Sequence, residues 1–426
     1  MLKWLGLTSY RFSVSWSRWQ PDGRGALNPR GVAFYDRLVD GLLDRGIQPW
    51  ATLYHWDLPQ ALQDAGGWPE RDVAHRFADY AVSVADWLGD RLHTVITLDE
   101  PWCSAFLGYA AGVHAPGIQD DEAALRAAHH LLLGHGEAVA ALRAKGSPAR
   151  LGITLNNHPV RRFAERPTDL EAVRRIDGLT NRFFLDPLLR GEYPLDVVED
   201  VASVTDFAHV RDGDLKLASA GLDLLGVSYY GPYVVTEPGT PEAMAVEAKA
   251  AAEAESGRLV PVGGVTVPLR PGVLPGGWSP RSPWVGSRDV AFVVPGPVVP
   301  TAGRDVSPGG LAEVLERLAT DYVCPPIYIT ENGAAFEGAA AGGGVNDPER
   351  ATYLADHLAA CLETLENGVD VRGYFVWSLL DDFEWAWGYT RRFGMMHVDF
   401  DTMVRTPKTS AHYFRRVVRG NALPVR

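Results

Sequence analysis

The chain has 426 residues, 46% of them hydrophobic, so it is long and apolar enough to bury a sizeable core. Its 53 acidic and 40 basic side chains give a net charge of −13 without long runs of one sign, which argues against nucleic acid and anionic membranes as partners. The three cysteines lack metal-type spacing and fit reduced thiols in a cytoplasm, and the N-terminal stretch lacks the pattern of a signal peptide.

Strand and helix patterns alternate along the chain. Apolar, β-branched runs predict strands at 8–16, 47–54, 93–98, 150–155, 222–230, 326–330 and 371–379. Amphipathic runs predict helices at 30–45, 70–88, 122–144, 172–189, 310–319, 348–366 and 409–418. The pattern breaks at about 235–305, where a long insert inside a compact domain indicates a lid or binding loop. No change in composition divides the chain, so a single domain over 1–426 is predicted.

This alternation predicts an α/β fold with a parallel sheet. Its closed form is the (β/α)8 or TIM barrel, which carries its active site at the C-terminal ends of the strands. Only seven strands are found, and the chain opens on what reads as the last turn of a helix, Leu2–Leu5, followed by Gly6. The expectation is a barrel that lacks its first strand–helix unit and leaves two strand edges unpaired.

Two of the predicted strands end in carboxylates. The run Val95–Leu98 leads into Asp99 and Glu100, and the run Ile327–Thr330 leads into Glu331. Cleavage of a glycosidic bond needs one carboxyl group to protonate the leaving oxygen and another to attack, or to activate water, behind the anomeric carbon. Because both strand ends belong to one rim, the two glutamates are predicted to face each other across a sugar. The plainer alternative is a structural or metal-binding carboxylate.

Polar and aromatic side chains follow other strand ends on the same rim. Arg11 lies in the first strand, His55 follows the second, Trp377 lies near the end of the last, and Glu384 and Trp385 follow it. Polar groups for hydroxyls beside flat aromatic faces are what a pyranose pocket requires. Taken singly, each aromatic residue could equally belong to the core.

Six motifs together resemble glycoside hydrolase family 1, the β-glucosidase type. They are Tyr10–Trp16 (YRFSVSW), Thr52–Pro59 (TLYHWDLP), Thr97–Pro101 (TLDEP), Ser228–Tyr230 (SYY), Ile329–Gly333 (ITENG) and Trp377–Trp385. Two further runs, Arg391–Gly394 and Arg405–Lys408, extend the likeness towards the end of the chain. The resemblance implies a retaining barrel enzyme without a cofactor, in a family whose barrel would begin before this Met1.

The resemblance also implies catalytic roles. Glu331 matches the nucleophile and Glu100 the acid/base, which in a retaining enzyme stand about 5 Å apart. Arg11 and Tyr230 match the groups that contact the nucleophile. A nearby guanidinium is expected to lower the pKa of Glu331, whereas burial and the ionised nucleophile are expected to raise that of Glu100.

Further positions are implied to bind the sugar. They are His55, Trp377, Glu384, Trp385 and Phe393 around the glycone, Asp99 beside the 2-hydroxyl, and Trp102 against the aglycone. A carboxylate at Glu384 is expected to favour neutral glucose or galactose and to repel a 6-phosphate.

The chain departs from the family pattern near the acid/base. Asp99 stands where the family has Asn, Ser228 replaces another Asn, and the glutamine of the family's first strand has no counterpart. An ionised Asp99 can accept a hydrogen bond from the 2-hydroxyl but cannot donate one, and it adds charge between two carboxylates. Contacts to the 2-hydroxyl contribute several kcal/mol to the transition state, so weaker catalysis is expected.

The sequence therefore predicts a retaining β-glucosidase that removes terminal β-D-glucosyl residues, with β-galactosyl and β-fucosyl residues as further candidates. Small neutral β-glucosides or cello-oligosaccharides are the expected substrates, as in cellulose degradation, with no metal. A weakened or inactive sugar-binding barrel stays open as the alternative. A metal-dependent hydrolase is a weaker one, because His129, His130 and His135 lie in a predicted helix where surface or packing is the plainer interpretation.

Overall fold

The computed structural model describes residues 1–245, 260–262, 265–267, 281–293, 306–336, 338–341 and 344–424. Much of the predicted insert at 235–305 therefore lies outside the described residues. In the described part, no helix is both long and apolar enough to cross a membrane.

The strands are β1 (Ser9–Ser13), β2 (Gln48–Tyr54), β3 (Thr94–Asp99), β4 (Arg150–Asn156), β5 (Val160–Arg162), β6 (Leu224–Tyr229), β7 (Tyr233–Thr236), β8 (Val260–Val262), β9 (Val265–Val267), β10 (Ala291–Val293), β11 (Ile327–Asn332), β12 (Ala339–Ala341), β13 (Gly344–Asn346), β14 (Val371–Val376), β15 (Met396–Val398) and β16 (Arg405–Pro407). The α-helices are α1 (Leu2–Leu5), α2 (Trp16–Trp19), α3 (Pro29–Leu43), α4 (Gln60–Asp64), α5 (Asp72–Leu88), α6 (Asp121–Ala144), α7 (Pro167–Asp177), α8 (Phe183–Leu189), α9 (Leu195–Asp200), α10 (Asp214–Ala218), α11 (Pro308–Asp321), α12 (Pro348–Glu366) and α13 (Thr409–Gly420). The segments Cys103–Ala110 and Gly178–Arg182 are π-helical, and Trp385–Trp387 is a 3-10 turn.

Seven parallel strands form the barrel sheet, in the order β1, β2, β3, β4, β6, β11, β14. The order follows the chain, as it does when each strand returns to the next through a helix. Among the described residues, β1 pairs only with β2 and β14 only with β11, so the sheet curls into a barrel with one open seam. The prediction of seven barrel strands is confirmed.

The seam between β1 and β14 is a cavity of about 640 Å³. Tyr10 and Arg11 line it from β1, Tyr374 from β14, and Trp377 from the segment that follows. The side chains of β14 are mostly half-exposed, whereas those of β3, in the middle of the sheet, are all buried. The cavity therefore runs along the barrel wall up to the rim that carries the carboxylates.

The helices that cover the sheet follow from local sequence signals. In α3, the side chain of Asn28 accepts a hydrogen bond from the Arg30 N–H, and Pro29 occupies the first helical position. The buried positions Val32, Tyr35, Val39 and Leu42 recur every three or four residues and so give the helix one apolar face. The predicted helix at 172–189 is interrupted by the π-helical segment and is therefore two helices, α7 and α8.

Smaller sheets flank the barrel. Strands β7 and β10 lie towards the two ends of the predicted insert and pair with each other, and β7 also pairs with β5, in a three-stranded sheet of order β10, β7, β5. The insert is therefore not irregular throughout, because regular pairing continues beyond Tyr230 where the sequence indicates only a loop.

A buried ion pair supports the segment after β14. Lys408 Nζ lies 2.7 Å from Asp381 Oδ1, and both side chains are almost fully buried. Asp381 also accepts hydrogen bonds from Arg392 Nη1 at 2.8 Å and from the Gly394 N–H at 3.0 Å. This carboxylate thereby joins the start of the rim segment to the chain that returns towards α13.

Replacing Lys408 by methionine is expected to destabilise the fold by roughly 3 kcal/mol, because the buried Asp381 carboxylate loses one of its two cationic partners while the volume is kept. Urea unfolding at neutral pH measures the change. The matched control is Lys145→Met, which removes a surface pair with Asp86 at 2.6 Å and is expected to cost less than about 1 kcal/mol. Equal effects of the two substitutions would contradict a structural role for the buried pair.

Candidate active site

The barrel strands bring the predicted carboxylates to one rim. Glu331 is the penultimate residue of β11, and Glu100 follows Asp99, the last residue of β3. All three side chains are buried. Gly333, just beyond β11, is required by packing, because a Cβ atom there would lie 1.7 Å from the carbonyl oxygen of Trp377.

Glu331 is held by two of the residues that the sequence places beside it. Its Oε1 accepts a hydrogen bond from Arg11 Nη1 at 2.6 Å, and its Oε2 accepts one from the Tyr230 hydroxyl at 2.9 Å. Burial and the charge of Asp99 raise the pKa of Glu331, and Arg11 only partly offsets them. The expectation of a lowered pKa is therefore wrong in direction, because desolvation of this side chain outweighs its ion pair.

Arg11 also binds Asp99, which the sequence does not indicate. Its Nη2 donates to Asp99 Oδ1, and its Nε donates to Thr52 Oγ1 at 3.0 Å. One guanidinium thus bridges Asp99 and Glu331. Burial raises the pKa of Asp99 to about 6 in spite of this ion pair. The carboxylate predicted to face a sugar hydroxyl instead directs one oxygen at Arg11.

Glu100 lies in a different electrostatic setting. Burial, followed by the charges of Glu331 and Asp99, raises its pKa well above the ordinary value, as predicted. The Cys103 thiol donates a hydrogen bond to Glu100 Oε2 at 3.1 Å. Cys103 is not among the predicted site residues, although its place three positions after Glu100 at the start of a helical segment is a usable signal.

Aromatic rings gather around His55. Its ring centroid lies 5.6 Å from that of Trp377 and 5.7 Å from that of Trp385. Trp56 lies 5.4 Å from Trp385 and lines, with His114, a cavity of about 300 Å³ beside the rim. Trp56 and His114 are further residues of this wall that the sequence predictions do not include.

Three residues of the rim have backbone conformations that side chains other than glycine rarely adopt. The φ angles are 83° at Trp56, 45° at Glu100 and 39° at Trp385. Strained backbone of this kind concentrates at functional sites, where the surrounding structure holds it in place. Its occurrence in the connections after three separate barrel strands, β2, β3 and β14, supports the rim as the site.

Glu384 lies at the same rim, but its ionisation differs from the expectation. Burial, together with the charges of Asp382 and Glu331, raises its pKa to about 8. At neutral pH the side chain is therefore mostly uncharged, and repulsion of a 6-phosphate by a fixed charge does not follow. Its Oε2 has no hydrogen-bond partner in the described structure, so it is available to a ligand hydroxyl.

The last two predicted residues are placed differently. Phe393 is buried, and its ring stands nearly perpendicular to that of Tyr230, with 6.3 Å between the centroids. Trp102 is also buried, and its ring centroid lies 5.1 Å from that of Trp284 and 5.7 Å from that of Phe106. Among the described residues it therefore packs as part of the core. Its contact with an aglycone stays a prediction.

One group of side chains at the rim has the composition of a metal site. Among the described residues, the one cluster of three is His55, Asp99 and Glu331, whose ligand atoms all lie within 4.8 Å of one another. The helical histidines serve packing instead: in α6, His129 contacts Asp214 and the Tyr193 hydroxyl, each at 2.9 Å.

Comparison with known proteins places the chain among glycosidases. The family model described as "Glycosyl hydrolase family 1" matches residues 1–423. The chain is 45% identical to thermostable beta-glucosidase B of Thermobispora bispora, over 98% of this chain and 78% of that protein. It is 40% identical to the bifunctional beta-D-glucosidase/beta-D-fucosidase of Bifidobacterium breve, over 99% of this chain and 86% of that protein.

Solved structures of β-glucosidases superpose on this chain. The crystal structure of the psychrophilic beta-glucosidase BglU from Micrococcus antarcticus superposes with a TM-score of 0.87 at 46% identity, covering 99% of this chain and 84% of that one. The beta-glucosidase from Thermotoga maritima in complex with castanospermine superposes with a TM-score of 0.84 at 35% identity, covering 100% of this chain and 85% of that one.

Proposed function

The chain belongs to glycosyl hydrolase family 1 and is a glycoside hydrolase, and on this premise we propose that its substrates are β-glucosides with terminal, non-reducing β-D-glucosyl residues. The observation that carries the proposal is the unequal setting of two buried carboxyl groups. Glu331 accepts hydrogen bonds from Arg11 and Tyr230, whereas burial and the charges of Glu331 and Asp99 raise the pKa of Glu100 well above its ordinary value. As the pH rises, Glu331 is the first of the two carboxyl groups to lose its proton, and Glu100 stays protonated.

In the proposed first step, a carboxylate oxygen of Glu331 attacks the anomeric carbon. Glu100 gives its proton to the departing glycosidic oxygen, so that the sugar is left esterified to Glu331. The Arg11 and Tyr230 hydrogen bonds fix the carboxylate of Glu331 in position for this attack.

In the second step, the now ionised Glu100 takes a proton from water. The resulting hydroxide displaces Glu331 and releases the sugar with its original anomeric configuration. Loss of the negative charge on Glu331 in the ester lowers the pKa of Glu100 between the two steps, because that charge is one of the causes of its rise. One residue can thereby act first as acid and then as base.

The substrate-binding roles are proposed from the arrangement around the two carboxyl groups. We assign His55, Trp377, Trp385 and Glu384 to the glycone, supported by the contacts of the His55 ring and the free Glu384 oxygen. Asp99 and Phe393 border the same space, and Trp102 is proposed near the aglycone. Neutral β-glucosides, short cello-oligosaccharides and, as for the Bifidobacterium relative, β-fucosides are the proposed substrates.

We further propose that residues 1–426 act as one barrel domain in the cytoplasm. Continuous strand order around the sheet supports a single domain. All three cysteines are thiols rather than disulfides, which suits a reducing compartment.

Hydrolysis of 4-nitrophenyl β-D-glucoside by the whole chain tests the proposal, with release of the nitrophenol followed by absorbance and the anomer of the product by NMR. We expect turnover with β-glucose formed first. Formation of α-glucose first would contradict the retaining mechanism.

A sugar-binding barrel without turnover is the second candidate, and one observation favours it. Arg11 binds both Asp99 and Glu331. Its guanidinium charge therefore stabilises two carboxylates instead of the ionised nucleophile alone. This candidate predicts that glucose raises the melting temperature while no nitrophenol is released. Single-turnover cleavage by the wild-type chain would exclude it.

The thiol beside the proposed acid/base gives a pH-dependent prediction. The Cys103 hydrogen bond stabilises the ionised form of Glu100, so Cys103→Ala is expected to raise the Glu100 pKa further. Because the general acid must be protonated, the alkaline limb of the kcat/KM profile should move to higher pH. Cys324→Ala, at a half-buried cysteine in the connection between α11 and β11, is the control and should leave that limb in place. A shift to lower pH in Cys103→Ala would contradict the assignment of Glu100.

A further inference from the structure

One carboxylate oxygen at the rim has no partner. Asp99 is fully buried, and its Oδ1 is bound by Arg11, but its Oδ2 has no hydrogen-bond partner in the described structure. A buried carboxylate oxygen without a partner has lost its hydration with nothing in exchange, so it favours any cation that can reach it. The residue matters because the family has Asn at this position, and an amide would supply no negative charge.

A histidine nitrogen lies close to this oxygen. His55 Nε2 lies 3.4 Å from Asp99 Oδ2, which is longer than an ordinary N–H···O hydrogen bond. The other ring nitrogen, Nδ1, lies 3.2 Å from the Ser13 hydroxyl oxygen, which can accept a hydrogen bond from an Nδ1–H group. In that tautomer the lone pair of Nε2 faces a carboxylate oxygen. Two acceptors that face each other across this gap are stabilised by a cation between them.

Glu331 completes a set of three. Its ligand oxygen, Asp99 Oδ2 and the His55 nitrogen lie within 4.8 Å of one another. In a tetrahedral site, ligands at about 2.0–2.2 Å from a first-row metal ion lie roughly 3.3–3.6 Å apart, which His55 Nε2 and Asp99 Oδ2 already satisfy at 3.4 Å. Movements of up to about 1.4 Å, within reach of side-chain rotation, would bring the Glu331 oxygen into the same set. An imidazole with two carboxylates suits zinc, cobalt or manganese better than magnesium or calcium.

Neighbouring groups hold these ligands in place. Ser13 contacts the far nitrogen of His55, Arg11 binds one oxygen of each carboxylate, and Tyr230 binds Glu331. Such outer contacts orient ligands at metal sites. Two carboxylates against one guanidinium leave a net negative charge, so the positive charge of Arg11 weakens the attraction for a divalent cation without reversing it.

We propose that His55, Asp99 and Glu331 form a binding site for one divalent transition-metal ion, and that this ion inhibits the enzyme by occupying the nucleophile. The ion is an inhibitor and takes no part in the reaction. Its effect on turnover rests on the proposed function, whereas binding itself does not. Sugar and metal compete for Glu331, so inhibition by Zn²⁺ should raise KM for the glucoside and be reversed by a chelator.

Binding is tested first, without any substrate. Co²⁺ is titrated into the whole chain and followed by calorimetry and by its visible absorption, which reports the ligand set. We expect one site in the wild-type chain and at least tenfold weaker binding, about the least that disturbing a metal site costs, in Asp99→Asn. The control His75→Ala removes an exposed histidine that pairs with Glu137 at 2.8 Å, and it should bind Co²⁺ as the wild type does.

Two further variants make each outcome decisive. His55→Gln removes the second ligand and is measured in parallel with Asp99→Asn. The melting temperature of each variant shows whether it is folded. Cys103→Ala tests a thiol as the ligand. Co²⁺ binding that persists in both ligand variants, or that is lost in Cys103→Ala or His75→Ala, would overturn the proposal.

Inhibition is measured separately, with 4-nitrophenyl β-glucoside and Zn²⁺. The wild type and His75→Ala should show the same rise in KM, and Asp99→Asn should show at least tenfold weaker inhibition. If the wild-type chain lacks turnover, the cobalt titration still decides the metal site. If Zn²⁺ inhibits Asp99→Asn as strongly as the wild type, the site does not cause the inhibition and the proposal fails.

Discussion

Replacing Glu331 by alanine is expected to lower kcat for 4-nitrophenyl β-glucoside by about 10⁴-fold or more, because the covalent intermediate can no longer form. The fold should survive, since the side chain lies at a strand end and the substitution also removes a buried carboxyl group. Progress curves at high enzyme concentration measure the residual rate, and mass spectrometry with a slow fluorinated glucoside shows whether a glycosyl adduct forms. The wild type should carry the adduct and the variant should not.

The control for this substitution is Glu316→Ala. Glu316 is an exposed carboxylate on α11, so its removal should change kcat by less than about twofold. Both substitutions replace a glutamate by alanine, so they are matched in chemistry. Equal rates for wild type and Glu331→Ala would remove Glu331 from the mechanism.

Replacing Glu100 by alanine is expected to give a loss that depends on the leaving group. With cellobiose, whose departing hydroxyl needs a proton, kcat/KM should fall by about 10²–10⁴-fold. With 2,4-dinitrophenyl β-glucoside, which departs without protonation, the first step should be nearly unchanged. Steady-state rates with both substrates measure the difference.

Added azide provides a second test of the role of Glu100. In Glu100→Ala, azide can enter the space of the missing carboxyl group and attack the glycosyl-enzyme without a general base, giving β-glucosyl azide and a faster second step. The wild type should show no acceleration, because the charged Glu100 repels the anion. An equal loss with both leaving groups would show that Glu100 is not the proton donor.

Strand ends are the part of the site that sequence predicts well. A β-branched run closed by a carboxylate and a turn, as at Ile327–Gly333, fixes both the strand and the edge at which its last side chains meet others. The positions of Glu331, Arg11 and Tyr230 follow from this, because each lies in or directly after a parallel strand. Their shared rim is a property of chain topology rather than of side-chain detail.

Ionisation and cross-strand contacts are the part that sequence does not predict. The bridge from Arg11 to Asp99, the thiol contact of Cys103 and the high pKa of Glu384 depend on burial and on distances of a few ångströms. A linear pattern specifies which residue is near a rim but not how much water it keeps. The sign of the Glu331 pKa shift turns on that balance, which is why the ion pair alone predicts it wrongly.

The seam links local motion to chemistry. Strand β1 has one strand neighbour among the described residues, so its amides should exchange with solvent deuterium sooner than those of β4, which has two. Arg11 lies in the middle of β1 and holds both Asp99 and Glu331. Each transient opening of this strand withdraws the guanidinium and leaves two carboxylates to repel each other. The fraction of time that β1 spends detached from the sheet therefore sets the fraction of molecules in which Glu331 is out of position.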